Sequence, residues 1–249
     1  MKARQTRTHP LASLIRPTGI ILMVGVVFIG MFAAITMGST GGETSAQRLS
    51  FLFGLDSTQL WWYITRAAGL TGYFLIWLSM AWGFAIPSKI VQPVLEGTFT
   101  YDFHEYLSLL GLGFIFIHIT VLMFDKYLPF TLAQLLIPFI NTYRPFWVGL
   151  GIIGLYIFLV VTVTFYLRGH IGVKAFRAIH VTSLLGYLGA TLHGLFAGTD
   201  SSLPITMILY GGTFLVIIFL TVHWLFMRRP EKKEEVPLSP AQYRHLQRR

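Results

Sequence analysis

Long apolar runs separated by short polar breaks dominate the chain. Those at 20–37, 61–86, 101–124, 146–167, 175–197 and 204–227 are each close to the length a helix needs to cross a bilayer, about 20 residues. Trp61, Trp62 and Tyr63 open the second run as an interfacial aromatic belt. The stretch 125–144 contains FTLAQLLIPFI, too short to cross and interrupted by Pro129 and Pro138, so it is expected to lie at the membrane surface as a cap. The run at 20–37 exceeds the apolar core of a signal peptide, about 7–15 residues, and no small-x-small cleavage site follows it closely, so it reads as a retained span. The expected fold is an all-α integral membrane protein, a six-transmembrane-helix bundle. Its parts are a basic N-terminus (1–17), a first helix with an outer loop (18–60), the main transmembrane domain (61–227) and a charged tail (228–249).

Composition agrees with this reading. Apolar residues make up 54% and charged residues 12%, against about 25% charged in soluble domains. The excess of 19 Lys and Arg over 10 Asp and Glu does not mark a nucleic-acid partner, because the cations sit in loops and tails beside the apolar runs. With six spans, fifteen of them fall on one side: Lys2, Arg4, Arg7, Arg16, Lys89, Arg168, Lys174, Arg177 and seven in the tail. Arg48, Arg66, Lys126 and Arg144 fall on the other, so both termini are expected to be cytoplasmic in a multi-pass plasma-membrane protein. Cysteine is absent, which excludes iron–sulfur clusters, disulfides, thiolate ligation of haem and covalent haem attachment; any haem would be b-type.

Ionisable groups inside apolar spans carry the candidate chemistry. The third span holds His104 and His118, 14 positions apart, and the fifth holds His180 and His193, 13 apart. At about 1.5 Å per residue the members of each pair stand about 20 Å apart along the helix. Both spans run outward, so His104 faces His180 near the inner surface and His118 faces His193 near the outer one. One intramembrane histidine is as readily a hydrogen-bonded packing residue as a ligand, but four in register on two spans favour ligation. The spacing suits two stacked haems, each held by imidazole from both sides. The fifth span poses a phase difficulty, since 13 residues at about 100° each fall about 140° short of whole turns. Either that helix is distorted, with Gly186 and Gly189 giving room, or its rings lean in from opposite flanks. His223 has no mate at either spacing and reads as interfacial, and His9, His170 and His245 lie outside the spans.

Three arginines are candidate partners for haem propionates: Arg66 and Arg144 at the outer level and Arg177 at the inner. Arg177 equally suits the basic inner rim. Arg66 lies one turn inside an apolar helix and needs an anion, for which a propionate and Asp125 compete. Asp102 and Glu105 flank His104, either accepting its ring N–H or facing water. Gly69, Gly72, Gly111, Gly113, Gly149, Gly151 and Gly154 fit helices pressed against flat macrocycles and fit ordinary small-residue helix packing equally well.

The segment ITRAAGLTGYFLIWLSMAWG, the His-x13-His spacing and FRAIH…LHGLFAGTD together resemble the ferric reductase-like transmembrane domain superfamily over about residues 60–200. That group includes ferric reductases, NADPH oxidases and the haem subunit of bacterial periplasmic methionine sulfoxide reductase. The resemblance implies two b haems on His104 with His180 and on His118 with His193, with Arg66 at the outer site. It implies electron flow from a cytosolic flavin reductase or membrane quinol to an extracytoplasmic acceptor, whether a metal ion, a partner protein or oxygen. Two departures narrow this. About twenty residues follow the last span, with no glycine-rich nucleotide motif, so any flavin is expected on a partner and no NADPH oxidation by this chain alone. Leu122 stands where the oxidases carry a further histidine, which counts against superoxide production. The protein is thus expected to be an oxidoreductase component, alternatively the haem subunit of a periplasmic reductase or ferric reductase system. A rival from another class is a non-redox transporter or scaffold whose histidines bind protons or metal ions.

Overall fold

The computed structural model describes residues 60–88, 97–125, 128 and 130–227. The run at 20–37, the basic N-terminus and the charged tail lie outside the described residues. Among the described residues every regular element is helical: α1 (Leu60–Ser88), α2 (Gly97–Leu122), α3 (Leu132–Leu136), α4 (Pro145–Tyr166), α5 (Arg168–Ile171), α6 (Val173–Val181), α7 (Ser183–Ala197) and α8 (Pro204–Met227). Four of these, α1, α2, α4 and α8, are long and apolar enough to cross a membrane. The chain is a multi-pass helical protein suited to a lipid bilayer.

Proline and short polar motifs set the helix limits. Proline suits the first helical position because its missing N–H would be unpaired there anyway, and Pro145 opens α4 this way. Pro87 lies in the last described turn of α1, where it removes one backbone donor. The short α3 carries a capping box in which Thr131 and Gln134 satisfy each other's backbone N–H. Its Leu135 is buried, Leu132 and Leu136 are exposed, and Leu136 O accepts from the hydroxyl of Tyr156, midway along α4.

The apolar run at 175–197 is not one helix. It divides at Thr182 into nine-residue α6 and fifteen-residue α7. Around the break the backbone winds tighter: Thr182 N–H donates to Ile179 O at 2.9 Å and Leu185 N–H to Thr182 O at 2.9 Å. The Thr182 hydroxyl also takes Ile179 O at 2.6 Å. Each residue in such a three-residue turn adds about 20° of rotation beyond the α-helical value, recovering part of the phase His180 and His193 lack. The distortion thus accounts for part of the 13-residue phase difference, and it is centred on Thr182. Gly186 and Gly189 serve another purpose. A Cβ on Gly189 would stand 2.9 Å from Leu150 O, and one on Gly154 2.9 Å from Gly186 O, so these glycines let α4 and α7 touch backbone to backbone. Gly72 and Gly111 do the same for α1 and α2 through Ile115 and Ile76.

Two tight hairpins result, α1 with α2 and α4 with α7, and α8 packs against α1 and α7. At their shared centre Tyr73, Tyr187, Thr191, Tyr210 and Thr213 are all buried. The Tyr73 hydroxyl lies 2.8 Å from that of Tyr187, 2.7 Å from that of Thr213 and 3.3 Å from that of Thr191. The rings of Tyr73 and Tyr210 meet edge to face at 4.7 Å. This polar knot ties α1, α7 and α8 together where lipid offers no alternative partner. Tyr73→Phe should cost about 1–2 kcal/mol, read as a lower unfolding midpoint in detergent, since Tyr187 loses its near partner in a dry site. Elsewhere α8 turns Ile205, Ile208, Leu215, Phe219 and Phe226 outward, an apolar face for lipid.

Candidate functional site: two facing histidine pairs

The structure brings the four intramembrane histidines together in two pairs. The rings of His104 and His180 face each other with centroids 6.0 Å apart and planes at 64°. Those of His118 and His193 do so at 6.3 Å and 76°. The helices that carry them do not pack extensively on each other: α2 touches α1, while α6 and α7 touch α4. A gap thus runs between α2 and α6–α7, and each pair reaches into it.

Each pair lines its own cavity of about 240 Å³. Around His104 and His180 the walls include Ser79, Gly83, Ser108 and Trp224. Around His118 and His193 they include Thr65, Arg66, Gly69, Gly151 and Asp200, with Leu135 of α3 as part of the lining. Phe158 borders both and forms the partition between them.

Backbone carbonyls fix which ring nitrogen faces the gap. His118 Nδ1 lies 2.8 Å from Thr65 O, His104 Nδ1 2.9 Å from Ser79 O, and His193 Nδ1 3.1 Å from Trp147 O. A carbonyl can only accept, so each Nδ1 carries the proton and each neutral ring keeps a bare lone pair on Nε2. Metal-ligating histidines are commonly oriented in this manner, with the second nitrogen tied to a backbone acceptor. His180 differs: its Nδ1 is buried with no hydrogen-bond partner.

Each anchored ring also sits in a notch made by glycine. The residue four positions after each accepting carbonyl is Gly69, Gly83 or Gly151, on the same face of its helix. A Cβ there would stand 2.9 Å from His118 Nδ1, 3.1 Å from His104 Cε1 and 2.7 Å from His193 Cγ. These three glycines make room for imidazoles, whereas Gly72, Gly111 and Gly154 make room for neighbouring helices. Gly113 has nothing within 4 Å. Gly83 carries no signal when glycines are counted one by one. Its mark is the spacing of 14 between Gly69 and Gly83, which repeats that of His104 and His118.

Of the three candidate arginines, Arg66 lines one of these two cavities and Arg144 and Arg177 line neither. Arg66 forms an ion pair with Asp200, each partner 22% exposed, and its guanidinium lies 3.7 Å from the centroid of Trp62. Its protein anion is therefore Asp200 of the loop before α8, and not Asp125. Arg144 is exposed and donates to Phe196 O at the end of α7, and Arg177 is exposed on α6. Nor do the acidic neighbours of His104 hold its ring, since Ser79 does; Glu105 accepts from the Tyr166 hydroxyl at 2.8 Å. His223 stacks on Phe219 with centroids 6.2 Å apart.

Two imidazoles bound to opposite sides of one metal, with metal–nitrogen bonds of about 2.0–2.1 Å, have centroids about 6.4 Å apart. Both observed separations lie close to this value. Two donors do not complete a site for a bare divalent ion, which takes about four protein or water ligands. No group of three or more His, Cys, Asp and Glu able to hold a metal ion occurs among the described residues. A metal held between two such imidazoles would take its remaining ligands from water or from a flat macrocycle. Comparison with protein-family models, with curated proteins and with solved structures gave no match.

Proposed function

We propose that the protein is a transmembrane electron conduit holding two b haems, one between His104 and His180 and one between His118 and His193. The observation that carries this reading is the pairing itself: rings opposed at 6.0 and 6.3 Å, with three of the four Nδ1 atoms tied to carbonyls so that Nε2 faces the gap. Bound there, each haem would be held by one histidine from each hairpin and would supply a one-electron redox centre.

The protein's own residues do the rest. Carbonyls of Ser79, Thr65 and Trp147 hold the imidazoles in one tautomer and raise their basicity. The two levels lie about 21 Å apart along α2, at about 1.5 Å per residue, so together they span most of a hydrocarbon core of about 30 Å. A guanidinium carries five N–H donors, so Arg66 can hold Asp200 and still reach a haem carboxylate in the cavity it lines. In this reading the bundle has six spans with both termini cytoplasmic in the plasma membrane, as the distribution of Lys and Arg supports. Electrons enter from a cytosolic flavin reductase or membrane quinol at the His104 level. They leave at the His118 level to an extracytoplasmic metal ion, partner enzyme or oxygen. The resemblance to ferric reductase-like domains points the same way.

Purification in mild detergent tests the proposal. The protein should be coloured, with a reduced b-type spectrum and two haems per chain by pyridine haemochrome. A colourless protein that takes up no haem on reconstitution would leave the histidines as ligands of something else.

A further inference from the structure

The glycine notches repeat at intervals of 14 on α1: the carbonyl of Thr65 with Gly69, then the carbonyl of Ser79 with Gly83. On α4 the first notch is Trp147 with Gly151, and 14 residues further along the same face stand Val161 and Phe165. Phe165 fills the position that glycine opens elsewhere. Its ring lies 5.9 Å from that of Phe176, which in turn lies 5.2 Å from the His180 ring. The Thr164 hydroxyl takes the carbonyls of Val160 at 2.7 Å and Val161 at 3.1 Å. At the fourth position there is neither a notch nor a free carbonyl, and His180 Nδ1 is the ring nitrogen left without a partner.

The mount of His180 is also weaker. It lies on α6, a nine-residue helix with no buried residue, cut from α7 by the break at Thr182. Turning the His104, His118 or His193 ring out of line breaks a hydrogen bond and drives the ring against a helix. Turning His180 breaks none.

From this we infer that His180 is an exchangeable ligand, so that the inner site alone can trade an axial imidazole for a small exogenous ligand such as carbon monoxide. The inference rests on the haem reading, and the test separates the two. The haem-loaded chain is reduced, exposed to carbon monoxide and followed in the Soret band. About half of the haem should bind it. An inner-only protein (His118→Ala with His193→Ala) should bind one per haem, and an outer-only protein (His104→Ala with His180→Ala) none. Phe165→Gly combined with Thr164→Val opens the missing notch and frees the Val161 carbonyl, and should slow binding about tenfold, the effect of one added hydrogen bond. A two-haem protein that binds carbon monoxide at neither site, or at both, overturns this inference alone. So does an outer-only protein that binds it. A protein that takes up no haem overturns both readings. The wild-type, inner-only and outer-only measurements decide the matter even if Phe165→Gly with Thr164→Val fails to fold.

Discussion

Replacing His118 or His193 with alanine is expected to release the outer haem and leave the inner one in place, and His104→Ala is expected to do the reverse. In the proposed arrangement each haem would be shared between one histidine of α2 and one of α6–α7, so losing either imidazole would remove half of the protein's hold on the iron. The imidazole left behind faces an empty gap with a bare Nε2, and an unsatisfied buried polar atom costs about 1–3 kcal/mol. The two levels share Phe158 but no ligand, so damage at one should not spread to the other. His180→Ala should be the mildest of the four, leaving part of the inner haem bound through His104 alone, because that ring has no second anchor to lose. Pyridine haemochrome counts on the four purified variants measure this. Loss of both haems from any single variant, or retention of both by His118→Ala and His193→Ala, would show that the pairs are not independent sites.

Filling the notches should have nearly as large an effect while leaving every ligand in place. A methyl group on Gly151 would stand 2.7 Å from the His193 ring, and one on Gly69 2.9 Å from that of His118. Those rings must shift and give up their bonds to Trp147 O and Thr65 O. Gly151→Ala and Gly69→Ala are expected to lose most of the outer haem. Gly83→Ala meets His104 at 3.1 Å and should lose less of the inner one. In a helix interior alanine is otherwise favoured over glycine by about 0.5–1 kcal/mol, so the proteins themselves should fold. Gly113→Ala, open on all sides, is the control and should keep both haems. The measured quantity is haem per chain against thermal midpoint. If all four variants retained full haem, the notches would be incidental to the site.

The hydropathy pattern carried much of the fold. The runs expected at 61–86, 146–167 and 204–227 became α1, α4 and α8 with limits within about two residues, because long apolar helices are set by local composition and proline. The partnership of the histidines followed from the same pattern, since alternating spans fix which ends lie at one level. What could not be read depends on contacts between distant segments. Asp200 lies 134 positions from Arg66, in a loop whose path no local pattern fixes. The break at Thr182 gives no stronger signal than one threonine in an apolar run, and Gly186 and Gly189, four and seven positions further on, are the more conspicuous candidates. Gly83 was legible in principle, since two glycines spaced like two histidines match an antiparallel neighbour residue for residue. The match appears only when α1 and α2 are taken as one antiparallel unit.

The three ring anchors share an arrangement with a bearing on biogenesis. Thr65 and Ser79 hold the histidines of α2 from α1, within one hairpin, and Trp147 holds His193 of α7 from α4, within the other. The facing pairs, by contrast, join one hairpin to the other. Each hairpin can therefore enter the membrane, close and orient its imidazoles before it meets its counterpart. Under the proposed function, a haem seated between the facing rings would add a second tie between the two hairpins, beside the hydroxyl knot of Tyr73, Tyr187 and Thr213 that already joins them.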